Sequence, residues 1–176
     1  MKAALLLLIL QGLLGALDTI LFHECRLQLP ACATATKELK LHAARDFLYA
    51  LLFGALAWFT LSGFWAWLLI ALLLTEIVLT LCDFVEEDRS RKVPSGERIM
   101  HAIMGIVYGA FAAIFFPELL GWSRSVTQLD FADRGLMSWV LSVMAVGVFI
   151  SGVRDISAAA RLRATENHSQ LAAGNT

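Results

Sequence analysis

Charge is what this chain has least of. Only 16% of its 176 residues are charged, against about 25% in a typical soluble domain. The net charge of −1 leaves no basic footprint, so nucleic acid is excluded as a partner. Three cysteines (Cys25, Cys32 and Cys82) are too few for a disulfide scaffold and read as free thiols. With three prolines in the whole chain, long stretches have no helix breaker. There is no nucleophile elbow, no Walker loop and no dinucleotide fingerprint, which removes the commonest nucleotide and acyl-transfer chemistries.

What remains is apolar. Residues of the hydrophobic class make up 59% of the chain. They gather into runs near the roughly 20 residues needed to cross a bilayer. Five spans are expected, at about 3–22, 43–61, 64–85, 97–116 and 136–153. The second helix should begin earlier, near Thr36. Met1-Lys2 and the following apolar run resemble a signal peptide. The run continues to Phe22 without an A-x-A site, so it reads as a retained first span. Ser62-Gly63 is expected to turn tightly. A charged loop is expected over 86–96, and Pro117 should end the fourth helix. The stretch 164–176 is small and polar and reads as a disordered cytoplasmic tail.

Lysine and arginine set the orientation. With the N-terminus outside, every basic residue except Lys2, Arg124 and Arg134 falls on the inner side. Trp58, Trp65, Trp67, Trp122 and Trp139 then lie towards the outer ends of their spans, as an interfacial belt does. The expected location is a bacterial-type inner or plasma membrane, with the C-terminus cytoplasmic. The lipid bilayer is the implied partner. The sequence names no protein partner and allows a homo-oligomer.

Two stretches repeat. Thr36-Lys37-Glu38, His42-Ala43 and Tyr49 match Ser95-Gly96-Glu97, His101-Ala102 and Tyr108 at identical spacing. Tyr49 and Tyr108 are the only two tyrosines. The chain is therefore read as one all-α transmembrane domain over 1–163. Its expected core is a four-helix bundle made of two hairpins, about 3–61 and 64–116, repeated in parallel about an axis along the membrane normal. A fifth helix, about 136–160, is an addition.

Polar residues in these spans fall at helical spacing. Glu38, His42, Arg45 and Tyr49 form one stripe, Glu97, His101 and Tyr108 a second, and Glu76, Thr80, Asp83 and Glu87 a third. Gln11 and Asp18 share a face of the first helix, with His23 just beyond. Asp18 and Glu76 stand inside otherwise apolar spans, where acids usually face the bundle interior and serve function. Glu76 lies about 10 Å deeper than Asp83.

Carboxylates and imidazoles from alternate helices are the donor set of four-helix di-iron proteins, although those use Glu-x-x-His and this chain has Glu-x-x-x-His. The candidate metal ligands are Asp18, Glu38, His42, Asp83, Glu97 and His101. Glu76, Tyr49, Tyr108 and Arg45 are read as supporting or proton-relay groups. Iron, manganese or zinc would suit such donors. Haem b bound by His42 and His101 fits less well, because a glutamate precedes each histidine by one turn. The best functional expectation is a metal-binding membrane protein, with membrane oxidoreduction as its reaction class. The alternative is a non-enzymatic membrane protein, an assembly factor or small proton or ion carrier. In that case Glu38 and Glu97 are helix-dipole acids behind N-caps, and the cluster is structural or a relay.

Overall fold

The computed structural model describes residues 1–26, 29–32 and 35–173. Five helices dominate it: α1 (Lys2–Asp18), α2 (Thr36–Trp58), α3 (Phe64–Ser90), α4 (Ser95–Ser123) and α5 (Leu136–Ala173). Helix α1 continues as a π-helix over Thr19–Arg26. Two short strands, β1 (Phe59–Ser62) and β2 (Gln128–Phe131), pair antiparallel with Phe59 opposite Phe131.

Four helical stretches, Lys2–Arg26, Phe64–Ser90, Ser95–Ser123 and Leu136–Thr165, are long and apolar enough to cross a membrane. Helix α2 is not among them. It carries Glu38, His42, Arg45 and Asp46 and is the most interior helix, packed along both α5 and α3. Helix α1 packs along α4, and α3 touches α4. The expected hairpin partners α1 and α2 are thus not close-packed neighbours. Nor is the fifth helix an appendage, since its contact with α2 is the most extensive in the molecule. Small residues allow that contact. A Cβ on Gly152 would stand 3.0 Å from Phe47 and 3.3 Å from the Ala43 carbonyl. Gly12 similarly admits the Phe53 ring. Gly105 and Gly109 do not serve this purpose, because nothing approaches either within 4 Å.

Several boundaries differ from expectation. Helix α3 runs past the supposed loop to Ser90, so only residues 91–94 join it to α4. Pro117 lies within α4, which continues to Ser123. A proline removes one intrahelical bond, and here the apolar sequence on both sides sustains the helix. Strand β1 replaces the last turn expected of the second span. The supposed tail continues α5 to Ala173, and 174–176 lie outside the described residues.

Buried positions recur at one spacing on α1 and α3. Ala4, Leu5, Leu8, Gln11, Asp18 and Phe22 are buried on the first, and Leu69, Ile70, Leu73, Glu76, Asp83 and Glu87 on the second. The two helices therefore present alike faces to the interior.

The strands and the tryptophans share one end. Trp58 stacks on Phe131 at 5.7 Å and meets Trp139 edge-on at 5.3 Å. Arg134 donates there to the Phe59 carbonyl at 3.1 Å, and burial pulls its guanidinium pKa below the usual value. Gly63 has φ +60, and a Cβ there would lie 2.6 Å from the Thr127 backbone nitrogen. Both the left-handed conformation and the collision oppose Gly63→Ala. The conformation alone costs about 1–2 kcal/mol. Thermal unfolding of Gly63→Ala in detergent should show a midpoint several degrees below the parent, whereas Gly109→Ala should leave it within a degree or two.

Candidate metal centre

At the opposite end, acids and histidines from α1, α2, α3 and α4 converge in layers. The outermost layer is built on Arg91, in the short turn between α3 and α4. Its Nε and Nη2 donate to Glu38 Oε1 at 3.1 and 2.8 Å. Its Nη2 and Nη1 donate to Glu97 Oε1 and Oε2 at 2.7 and 2.9 Å. Both glutamates are fully buried. Burial opposes the charge on Arg91, but these bonds outweigh it and hold the guanidinium above its usual pKa. Glu38 and Glu97 hold matching places in the pattern Glu-x3-His-Ala-x5-Tyr, and one guanidinium clamps both.

Glu87 forms the next layer. It is 2% exposed. Its Oε2 lies 3.4 Å from His101 Nδ1, and its Oε1 lies 3.8 Å from His42 Nε2. The two histidines of the repeat therefore flank one carboxylate.

Asp83 and Asp18 lie deeper. His42 Nε2 is 3.1 Å from Asp83 Oδ2, and His101 Nε2 is 3.3 Å from Asp18 Oδ2. Each repeat's histidine thus meets the other repeat's aspartate, along the packed pairs α2–α3 and α4–α1. Arg45 donates to Asp83 at 2.6 Å.

His23 completes the centre. Its Nε2 lies 3.5 Å from Asp18 and 3.6 Å from Glu97, and its ring stacks on His42 at 4.4 Å. The π-helix explains this placement. Residues five apart diverge on an α-helix but come into line where the turn widens to i→i+5, so Asp18 and His23 point inward together. Phe84 stacks on His101 at 5.1 Å.

The structure brings all six expected ligand residues, Asp18, Glu38, His42, Asp83, Glu97 and His101, into one cluster, all buried except His101, which is partly exposed. Of the supporting group, Arg45 joins it directly. Glu76 lies further in, accepts from Thr80 at 2.7 Å and stands 3.9 Å from Arg45 Nε. Tyr108 donates to the Leu73 carbonyl at 3.4 Å, and the Tyr49 hydroxyl makes no close hydrogen bond. The sequence placed Glu87 on the α3 stripe and Arg91 in the turn after it, and both lie there, but it did not count either among the ligands or supporting groups. The signal that could have added them was the four-residue spacing of Asp83, Glu87 and Arg91, continuing the α3 stripe.

Two sets of side chains have donor atoms gathered within 4.8 Å: His23, Glu87, Glu97 and His101, and Glu38, His42 and Glu87. Donors around one ion with bonds near 2.1 Å sit about 3–4 Å apart, so small rotamer shifts would close either set. Glu87 belongs to both. His42 Nδ1, Asp18 Oδ1, Asp83 Oδ1, Glu87 Oε1 and His23 Nε2 are buried without hydrogen-bond partners. Unpartnered buried polar atoms are costly, and a cation would relieve that cost for the carboxylate oxygens and free imidazole nitrogens.

No family model matches the chain, and neither a curated protein nor a solved structure does.

Proposed function

We propose that this is a polytopic membrane protein whose bundle holds a two-ion metal centre at its cytoplasmic end, with Glu87 bridging the ions. The observation that carries this reading is Glu87 itself, a buried carboxylate with one oxygen facing each repeat's histidine. One ion would be held by His23, Glu97 and His101, and the other by Glu38 and His42. Asp18 and Asp83 would orient the histidines or complete the ligand set.

Charge supports two ions. Asp18, Glu38, Glu76, Asp83, Glu87 and Glu97 are all buried acids, opposed by Arg45 and Arg91. With the imidazoles neutral, as metal ligands are, six carboxylates exceed two guanidiniums by four charges, which two divalent cations neutralise, and uncompensated buried charge is strongly unfavourable. Hard carboxylates with imidazole suit iron, manganese or zinc. Iron or manganese could supply one-electron chemistry here, and membrane oxidoreduction is the reaction class proposed for that case. Acids crowding both imidazoles suit such a cation better than haem iron. The exchange of histidine–aspartate partners also supports the parallel repeat.

The rival reading is a network of imidazolium–carboxylate pairs that only locks the helices. It is favoured by each histidine lying within ion-pair distance of an acid. Elemental analysis of detergent-purified protein separates the two. The metal reading expects close to two equivalents of iron, manganese or zinc per chain, and almost none in His42→Ala/His101→Ala. Metal at background level in a fully folded parent protein would leave the structural reading standing.

A further inference from the structure

From the inner side of the cluster, where Asp18, His23, His42 and His101 form part of its wall, a cavity of about 670 Å3 extends between the helices. That lies within the roughly 300–1,000 Å3 range of small-molecule sites. Its walls are mostly apolar, including Phe53, Phe84, Met104 and Met144. Two of its glycines, Gly105 and Gly147, have open space where a side chain would be. They enlarge the chamber instead of bringing helices together. The cavity reaches the bundle surface beside Leu13 of α1, Ile20 of the π-helix and Ile150 of α5, and on the other side beside Ile77 and Leu81 of α3, all exposed. Those apolar side chains would face lipid, so both openings lie within the hydrocarbon layer.

The polar part of the wall is small in area, and beyond the acids and histidines it shares with the cluster, it holds three atoms without a close hydrogen bond. Gln11 is 4% exposed, and its Oε1 has no hydrogen-bond partner. Arg45 Nε, 3.9 Å from Glu76, and Tyr49 Oη, which faces Gln11 and Glu76, likewise lie outside close hydrogen-bond distance of any acceptor. All three residues line the cavity. These atoms supply donors and an acceptor side by side, next to Glu76. An ammonium head could not accept from Tyr49 or Arg45. A carboxylate head could not donate to Gln11 and would meet the acids Glu76 and Asp18. A neutral hydroxyl does both, donating once and accepting from its neighbours.

We infer that this cavity binds a lipid-soluble molecule with an apolar body and a neutral hydroxyl head, admitted from the bilayer. The hydroxyl sits among Gln11, Arg45 and Tyr49, and the apolar body fills the chamber lined by Phe53 and Met144. Two sources share this chemistry, a hydroquinone and a long-chain alcohol. The inference stands on the cavity and its unpaired atoms and does not require the metal ions.

The test is binding to full-length protein in detergent, measured by calorimetry on both metal-loaded and chelator-treated samples. The probes are a short-tailed hydroquinone, a long-chain primary alcohol, and the methyl ether of each. At least one hydroxyl probe should bind saturably, and about tenfold tighter than its ether, as one good hydrogen bond would give. Which probe binds identifies the source. Gly105→Leu should abolish binding with the thermal midpoint unchanged, because it fills open space. Tyr49→Phe and Gln11→Leu should each weaken binding about tenfold. Equal affinity for hydroxyl and ether, or full binding by Gly105→Leu, would overturn the inference. So would no saturable binding of any probe. Binding that persists in protein without metal supports the cavity even if the metal reading fails.

Discussion

Arg91→Gln should destabilise the metal-free protein by about 3–5 kcal/mol, and divalent metal should restore most of that loss. Arg91 is the partner of two fully buried carboxylates, Glu38 and Glu97, and donates to both through paired bonds of 2.7–3.1 Å. Removing one side of a buried ion pair costs on this scale, because it leaves the other side charged and dry. If Glu38 and Glu97 also serve two metal ions, Arg91 occupies the place of a positive charge that the ions can take over. The variant should then show a larger metal-induced rise in thermal midpoint than the parent, through tighter binding to the folded state. A variant that is destabilised but indifferent to iron, manganese and zinc would mean that Arg91 serves only the fold.

Glu87→Gln should lose the metal response that Arg91→Gln gains. The substitution keeps size and shape but removes the carboxylate that both His101 and His42 face. The metal-free protein should be less stable than the parent, because a buried charged pair loses one side. Metal affinity should fall by at least about 100-fold, beyond the 10–100-fold typical of lost supporting contacts around metals. Binding of the second ion should be lost altogether, since Glu87 is shared by both donor sets. Calorimetric titration with manganese and zinc measures both quantities. Two undiminished sites in Glu87→Gln would show that this carboxylate bridges nothing.

Much of the cluster was legible before any coordinates. Glu38-His42-Tyr49 and Glu97-His101-Tyr108 obey α-helical spacing, and short-range periodicity is what sequence reports best. His23 was noticed but could not be placed. Its alignment with Asp18 depends on a π-helix, which carries no compositional signature and breaks the 3.6-residue rule on which the stripes were drawn. Glu87 was drawn on the α3 stripe, but its central role, like that of Arg91, was hidden differently. Both sit in the run Glu86-Glu87-Asp88-Arg89-Ser90-Arg91-Lys92, whose composition equals that of a solvated loop. Only the fold decides that Glu87 and Arg91 turn inward while Asp88 pairs with Arg98 at 3.0 Å on the surface. Helix pairing was equally opaque. Sequence neighbours suggested α1 against α2, whereas Gly152 and Ala43 let α5 take that place.

The guanidinium clamp has a consequence for how this protein would be made. A bundle whose buried acids depended on scarce ions would misassemble whenever supply failed. Arg45 and Arg91 travel with the nascent chain as internal counterions, so translocation and folding can finish first. If the cluster holds metal as proposed, loading becomes a later, reversible event, and protein made without metal would be an intact, idle reserve that later supply can fill.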